Sequence, residues 1–174
     1  MRNLLIVVDM QNDFISGSLG SPAAKAIVEN VRNKIKSFDG EVYFTKDTHY
    51  DNYLETQEGK NLPVKHCIKN TWGWEIENSL LEFVTNPVIE KETFGSNHLG
   101  IFLEQLEEEE HIDTITFVGL CTDICVISNA MIAKAFAKEA KLIVDASCCA
   151  GVTEKSHNTA LDAMAACQIS IINR

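Results

Sequence analysis

Three side chains able to carry acyl-transfer chemistry stand far apart in this sequence: Asp9, Lys91 and Cys125. Asp9 ends the apolar run Leu4 to Val8, and Lys91 ends the run that starts at Val88. Cys125 falls in the first turn of a helix expected to begin near Asp123, after Gly119-Leu120-Cys121-Thr122. A thiol over the unpaired amides of a helix N-terminus should have its pKa lowered, and the same amides can bind the oxyanion of a tetrahedral intermediate. A carboxyl group can move the thiol's proton, and an ammonium can hold thiolate and carboxylate together. Taken singly, Cys125 reads more readily as a packed helical thiol and Lys91 as a solvated cation, and Asp9 reads as well as a turn-capping carboxylate. His157 reads as a helix-surface or first-turn residue, although folding could bring it near Cys125.

Asp47, His49 and His66 form a second constellation. Asp-x-His directly after a strand can present two ligands to one ion, and a third from the following loop leaves positions open for water or ligand. Mixed imidazole and carboxylate donors suit one divalent ion: zinc, iron or manganese. Asp-x-His alone is a weak motif, since both residues are common in loops. His98 reads as a helix-start residue and His111 as a surface residue beside the acidic run Glu107 to Glu110.

The elements that must position these groups follow from hydropathy. Leu4 to Val8 is a continuous apolar run, the mark of a strand buried on both faces. Ser21-Pro22 is an N-cap and first-turn pair for a helix to about Phe38. Glu41 to Thr45 predicts a second strand, residues 46 to 75 a long functional loop, and 76 to 84 a helix. Val88 to Lys91, Ile112 to Gly119, Leu142 to Val144 and Ile169 to Ile172 predict four more strands. Helices are expected over 98 to 110, 123 to 138 and 153 to 167. The alternation predicts one α/β domain over residues 1–174, a three-layer α/β/α sandwich around a mainly parallel, doubly wound sheet. In such sheets ligands bind beyond the carboxyl ends of the strands, where Asp9, Asp47, His49, Lys91 and Gly119 to Cys125 all fall.

Composition narrows the function classes. The 174 residues carry 15 Lys and Arg against 25 Asp and Glu, a net charge of -10, which argues against nucleic acid or an anionic membrane as partner. The opening apolar run is too short for a signal peptide, and no stretch is long enough to span a membrane, so a cytoplasmic location is expected. The six cysteines match neither a zinc ribbon nor a Cys-x-x-Cys redox pair, so most read as reduced, buried thiols. No glycine-rich phosphate cradle follows the first strand, which excludes dinucleotide-binding and P-loop readings.

Several of these segments together resemble the isochorismatase-like cysteine hydrolases, particularly their nicotinamidase branch. Ile6-Val7-Val8-Asp9-Met10-Gln11-Asn12-Asp13-Phe14 is similar to the family's first signature, Lys91-Glu92-Thr93-Phe94-Gly95-Ser96 to its lysine segment, and Gly119 to Val126 to its nucleophile segment. Val144-Asp145-Ala146 and His157 to Leu161 extend the resemblance over nearly the whole chain. It implies a triad in which Cys125 attacks an amide carbonyl, Asp9 moves the protons and Lys91 tunes both charges. It also implies a cis Leu120–Cys121 peptide, with the backbone amides of Cys121 and Cys125 binding the oxyanion. In the branch, residues matching Asp47, His49 and His66 hold an ion that binds the pyridine nitrogen of nicotinamide. The implied product is nicotinate, through a thioester, and the implied assembly a homo-oligomer. The chain departs from the branch beside its last histidine: Pro63-Val64 stands where Trp-Pro is usual, so Phe14, Tyr53, Trp72 or Trp74 is expected to wall the substrate ring. A hydrolase of another small amide or ureide is the alternative, and an inactive binding or scaffold protein a remoter one.

Overall fold

The computed structural model describes residues 1–174. Its first strand, β1 (Arg2–Val8), shows why an unbroken apolar run becomes a central strand. Leu4, Ile6 and Val8 face one apolar cluster while Leu5 and Val7 face another, so both sides of the pleat are buried. Chain order continues through α1 (Asn12–Ile15), α2 (Pro22–Ser37), β2 (Glu41–Asp47), α3 (Gln57–Asn61), β3 (Ile89–Lys91) and α4 (Asn97–Glu109). It ends with β4 (Ile112–Leu120), α5 (Ile127–Phe136), β5 (Lys141–Ala150), α6 (Glu154–Ala166) and β6 (Ser170–Ile172). All sheet pairings are parallel, in the order β3-β2-β1-β4-β5-β6.

The helices complete a three-layer α/β/α sandwich. Ile27, Val31 and Ile35 of α2 cover one face. Leu99 and Leu103 of α4, Ala130 and Ala133 of α5, and Leu161 and Met164 of α6 cover the other. Ser21 caps α2 as expected, its hydroxyl accepting from the Ala24 amide at 3.0 Å, a contact worth about 1 kcal/mol. The acidic end of α4 is partly relieved because Glu107 turns back to accept from the Ile112 amide and to pair with His111, each at 2.7 Å. No helix is long and apolar enough to cross a membrane.

Four expectations are corrected. The helix expected over 76 to 84 is a 3₁₀ stretch, Asn78–Phe83, with the Glu77 carboxylate accepting from the Ser79 amide at 2.8 Å. The loop over 46 to 75 contains α3 and two short 3₁₀ turns, Tyr53–Glu55 and Trp72–Trp74. The helix expected from 123 begins as a π-helical turn, Thr122–Val126, before α5. Strand β5 is ten residues long, not three. Asp145 and Ser147 look like a strand end in sequence, but Asp145 is buried and paired with Lys34 at 2.9 Å, and the Ser147 hydroxyl donates to it.

The chain leaves β1 for β2 and β3 on one side and returns to β4 on the other, so the connections reverse beside β1. That crevice receives the ends of β1 and β4. Gly119 sits there at φ +116°, and a side chain at this position would collide with the Val8 carbonyl.

Candidate active site and metal centre

Lys91 stands at the middle of the rim. Its Nζ lies 2.7 Å from Asp9 Oδ2, 3.1 Å from Asp47 Oδ1 and 3.5 Å from Cys125 Sγ. All four residues are at least 96 % buried. The topology explains the meeting: β3, β2, β1 and β4 are neighbours, and each delivers one of these groups from at or just past its carboxyl end. Asp9 is fixed further by Thr45, which donates to its Oδ1 at 2.6 Å and accepts from its amide at 3.2 Å.

Charge crowding sets the proton balance. Burial pushes the Asp9 carboxyl above the usual range, against the pull of Lys91 and with the push of Asp47. Burial also raises the Cys125 thiol, opposed by Lys91 and aided by the Asp9 and Asp47 charges. The expectation of a lowered thiol pKa from the helix terminus is therefore reversed in the free protein. Burial disfavours the Lys91 ammonium, but Asp9, Cys125 and Asp47 outweigh it and hold the lysine charged. Asp47 lies well below the carboxylate range because Lys91 and the two histidines outweigh its burial. One cation and one carboxylate are thus fixed, while Asp9 and the thiol compete for a proton.

The other oxygen of Asp47 faces a second cluster. His49 Nε2 is 3.0 Å and His66 Nε2 3.5 Å from Asp47 Oδ2, and Glu58 Oε1 lies 3.4 and 3.7 Å from the same two nitrogens. One donor atom from each of these four residues falls within 4.8 Å of every other, a set that can hold a metal ion. His66 is oriented by its Nδ1, 2.8 Å from the Val64 carbonyl, which turns Nε2 toward the common point. Burial lowers the His49 pKa, but the hydrogen bonds to Asp47 and Glu58 outweigh it and raise it to about 9. Glu58 is the residue that the sequence reading missed. It rides on α3 in a polar segment without periodicity, and only its position between His49 and His66 hints at it.

Gln11 was also missed. Fully buried, it accepts from the Asp47 amide at 2.8 Å and donates to the Asp47 and Trp74 carbonyls at 2.8 and 2.9 Å, clamping the backbone of the shared carboxylate.

A cavity of about 510 Å³ reaches both clusters, touching Cys125 and Cys121 on one side and Asp47, Glu58 and His66 on the other. Phe14, Leu62, Phe94 and Ile124 provide apolar wall. The expected ring-facing aromatics divide. Phe14 is in the wall, with its ring centroid 5.5 Å from that of His66. Tyr53 is fully buried behind the histidines, its ring 4.6 Å from His49 and 5.0 Å from His66, in an adjoining groove. Trp72 is 62 % exposed and lines no part of the cavity. Trp74 is buried beneath the Lys46 ammonium and donates to Thr48 at 2.9 Å, again outside the cavity. These two segments are held off by their own local packing. The Leu120–Cys121 peptide is cis. His157 does not face Cys125; its Nδ1 meets the Thr122 hydroxyl at 2.7 Å.

A family model described as the isochorismatase domain matches residues 3–174. The chain belongs to the isochorismatase family. Nicotinamidase from Saccharomyces cerevisiae is 27% identical, over 81% of this chain and 85% of that protein. The nicotinamidase/pyrazinamidase of Mycobacterium tuberculosis is 26% identical over 97% of each. Among solved structures, pyrazinamidase of Pyrococcus horikoshii in complex with zinc superposes with a TM-score of 0.84 at 25% identity, covering all of both chains. As an isochorismatase-family hydrolase of nicotinamidase-like sequence, the protein has a strand-end cluster and a four-donor cluster that share one carboxylate, Asp47.

Proposed function

We propose that this protein is a cysteine-dependent, metal-assisted amidohydrolase that converts nicotinamide and water to nicotinate and ammonia. The observation that carries the reading is the double use of Asp47: one oxygen contacts Lys91 beside the thiol and the other faces the histidine pair. A flat amide in the cavity can thereby meet a nucleophile at one end and an ion at the other. Asp47, His49, His66 and Glu58 would hold the ion, zinc by the donor set, with iron or manganese as alternatives. When bound, it offers a Lewis-acid position for a heterocyclic nitrogen.

In this mechanism Asp9 takes the Cys125 proton as sulfur attacks the carboxamide carbon. Its raised pKa makes it the stronger base for that transfer. Lys91 stabilises the thiolate. The backbone amides of Cys121 and Cys125 receive the developing oxyanion; the Cys121 amide has no hydrogen-bond acceptor within the chain. Breakage of the C–N bond releases ammonia, which takes the proton from Asp9 and leaves a thioester. Asp9 then deprotonates the water that attacks the thioester, and Cys125 leaves as the thiolate. Phe14 forms the side wall for the ring, in the absence of a tryptophan before His66.

The test is ammonia release from nicotinamide by zinc-loaded protein, beside Cys125→Ala and His49→Ala. We expect release to fall by about 10⁴-fold in the first variant and by about 10²-fold in the second. No release by folded, metal-loaded protein would overturn nicotinamide as substrate and redirect the search to other small amides or ureides.

A further inference from the structure

Asn129 lies one turn past Cys125 on α5, fully buried, and engages three parts of the site through one side chain. Its Nδ2 donates to the Cys125 carbonyl at 2.8 Å and to the Phe94 carbonyl at 3.0 Å. Its Oδ1 accepts from the Ser96 amide at 2.9 Å. Cys125 bears the thiol, Phe94 lines the cavity, and Ser96 caps α4 while ending the segment that begins at Lys91. No other side chain hydrogen-bonds both the Cys125 backbone and the segment after Lys91.

A second observation shows that this contact is close by construction. A Cβ at Gly95 would come within 2.5 Å of Ile132 Cδ1 and 3.3 Å of Ser128 Cβ, both on α5. The segment after Lys91 is therefore seated against α5, which continues directly from the turn that carries Cys125, and Asn129 pins the two backbones at that seam. A shift of either side would separate Cys125 Sγ from Lys91 Nζ, now 3.5 Å apart, and would move Phe94 in the cavity wall.

We infer that Asn129 is a positioning residue that holds the Cys125 thiol in register with Lys91 and the Phe94 wall. The inference rests on Cys125 being the nucleophile, and it can be tested without any choice of substrate. Asn129→Ser removes the long double donor while remaining neutral, and Asn129→Asp keeps the acceptor for Ser96 but loses both donors. The measurement is the rate at which iodoacetamide alkylates Cys125 across pH, read by peptide mass, with exposed Cys167 as the internal standard. Leu106→Ala, at the far end of α4 in the same apolar cluster, provides a variant destabilised away from the site.

Both Asn129 variants should alkylate at Cys125 at least fivefold more slowly, with the pH profile moved to higher pH, because the thiolate loses its cation. Leu106→Ala should match the unaltered protein in rate and profile. If either folded Asn129 variant alkylates within twofold of the unaltered protein while losing thermal stability, Asn129 is only structural and the inference falls. A slowed Cys125 in a protein that leaves nicotinamide intact would uphold the inference and sink the substrate assignment.

Discussion

The two halves of the site are built by different means. Asp9, Lys91 and Cys125 sit on or just after the ends of three parallel strands, and the sheet order alone brings them together. The ion cluster takes Asp47 and His49 from the end of β2, but Glu58 and His66 hang on the connection that follows. That connection is held by separate ties: the Cys67 amide donates to Asp13 at 2.8 Å, the His49 amide to the Cys67 carbonyl at 2.9 Å, and the Glu77 amide to the Met10 carbonyl at 2.9 Å. A strand-end group inherits its place from the core, whereas a loop-borne group needs its own local hydrogen bonds. The strand-end half should therefore keep its arrangement when the loop half is perturbed, and the converse should fail, because Asp47 belongs to both.

Lys91→Met tests the stronger side of that asymmetry and should have the largest effect. It leaves the buried Asp9 carboxylate without its cation and leaves Asp47 with the histidines alone. Removing one partner of a buried ionic cluster costs about 3–5 kcal/mol, so urea unfolding should show a loss of that order. Metal binding should weaken as well, because Asp47 loses the contact that holds its other oxygen. A variant as stable as the unaltered protein, with undiminished zinc affinity, would show that the two clusters are independent.

Proton linkage sharpens the loop side. In metal-free protein His49 has its pKa raised to about 9 through Asp47 and Glu58. A raised folded-state value means that the stabilisation is fully present below the unfolded histidine pKa, about 6.5, and is lost as pH rises through about 9. Asp47 has the opposite sign: its depressed value stabilises above the ordinary carboxylate range and is lost as pH falls through it. Chelator-treated protein should thus lose a few degrees of melting temperature between about pH 6.5 and 9.5. Zinc-loaded protein should not follow that curve, since ligating histidine is already neutral. Parallel curves for the two forms would refute the assignment of His49 as a ligand.

The same division decides what the sequence disclosed. The strand runs marked the rim, and the parallel sandwich followed from their alternation with helices. Asp9 and Lys91 could be singled out because each stands at the end of a strand run, and Cys125 because it falls in the first helical turn after one. Glu58 could not: Gln57 to Asn61 is too short and polar to show a helix, and its approach to the histidines depends on the fold of the whole connection. Gln11 and Asn129 were hidden for another reason. A buried amide's value lies in distant backbone partners, at positions 47 and 74 or 94 and 96, which no local pattern reveals. The thiol's environment was misjudged because the helix terminus is a local feature, whereas burial beside two carboxylates is a tertiary one.

The aromatic residues give the smallest and most discriminating test. Sequence placed Phe14, Tyr53, Trp72 and Trp74 on equal footing as ring walls, but only Phe14 lines the cavity. Phe14→Ala should raise KM for nicotinamide by about tenfold with little change in kcat, since it removes a wall that acts on bound substrate throughout the reaction. Trp72→Ala should change neither constant by more than about twofold, because a residue 62 % exposed and outside the cavity has little to lose. Tyr53 falls between them: its hydroxyl donates to the Leu62 carbonyl at 3.0 Å and its ring backs both histidines, so Tyr53→Phe should weaken zinc retention before it alters KM. If Trp72→Ala instead raised KM as much as Phe14→Ala, the exposed 3₁₀ turn would have to fold over bound substrate. The loop half of the site would then be completed by the ligand, and its separation from the strand-built half would be wider than the free structure shows.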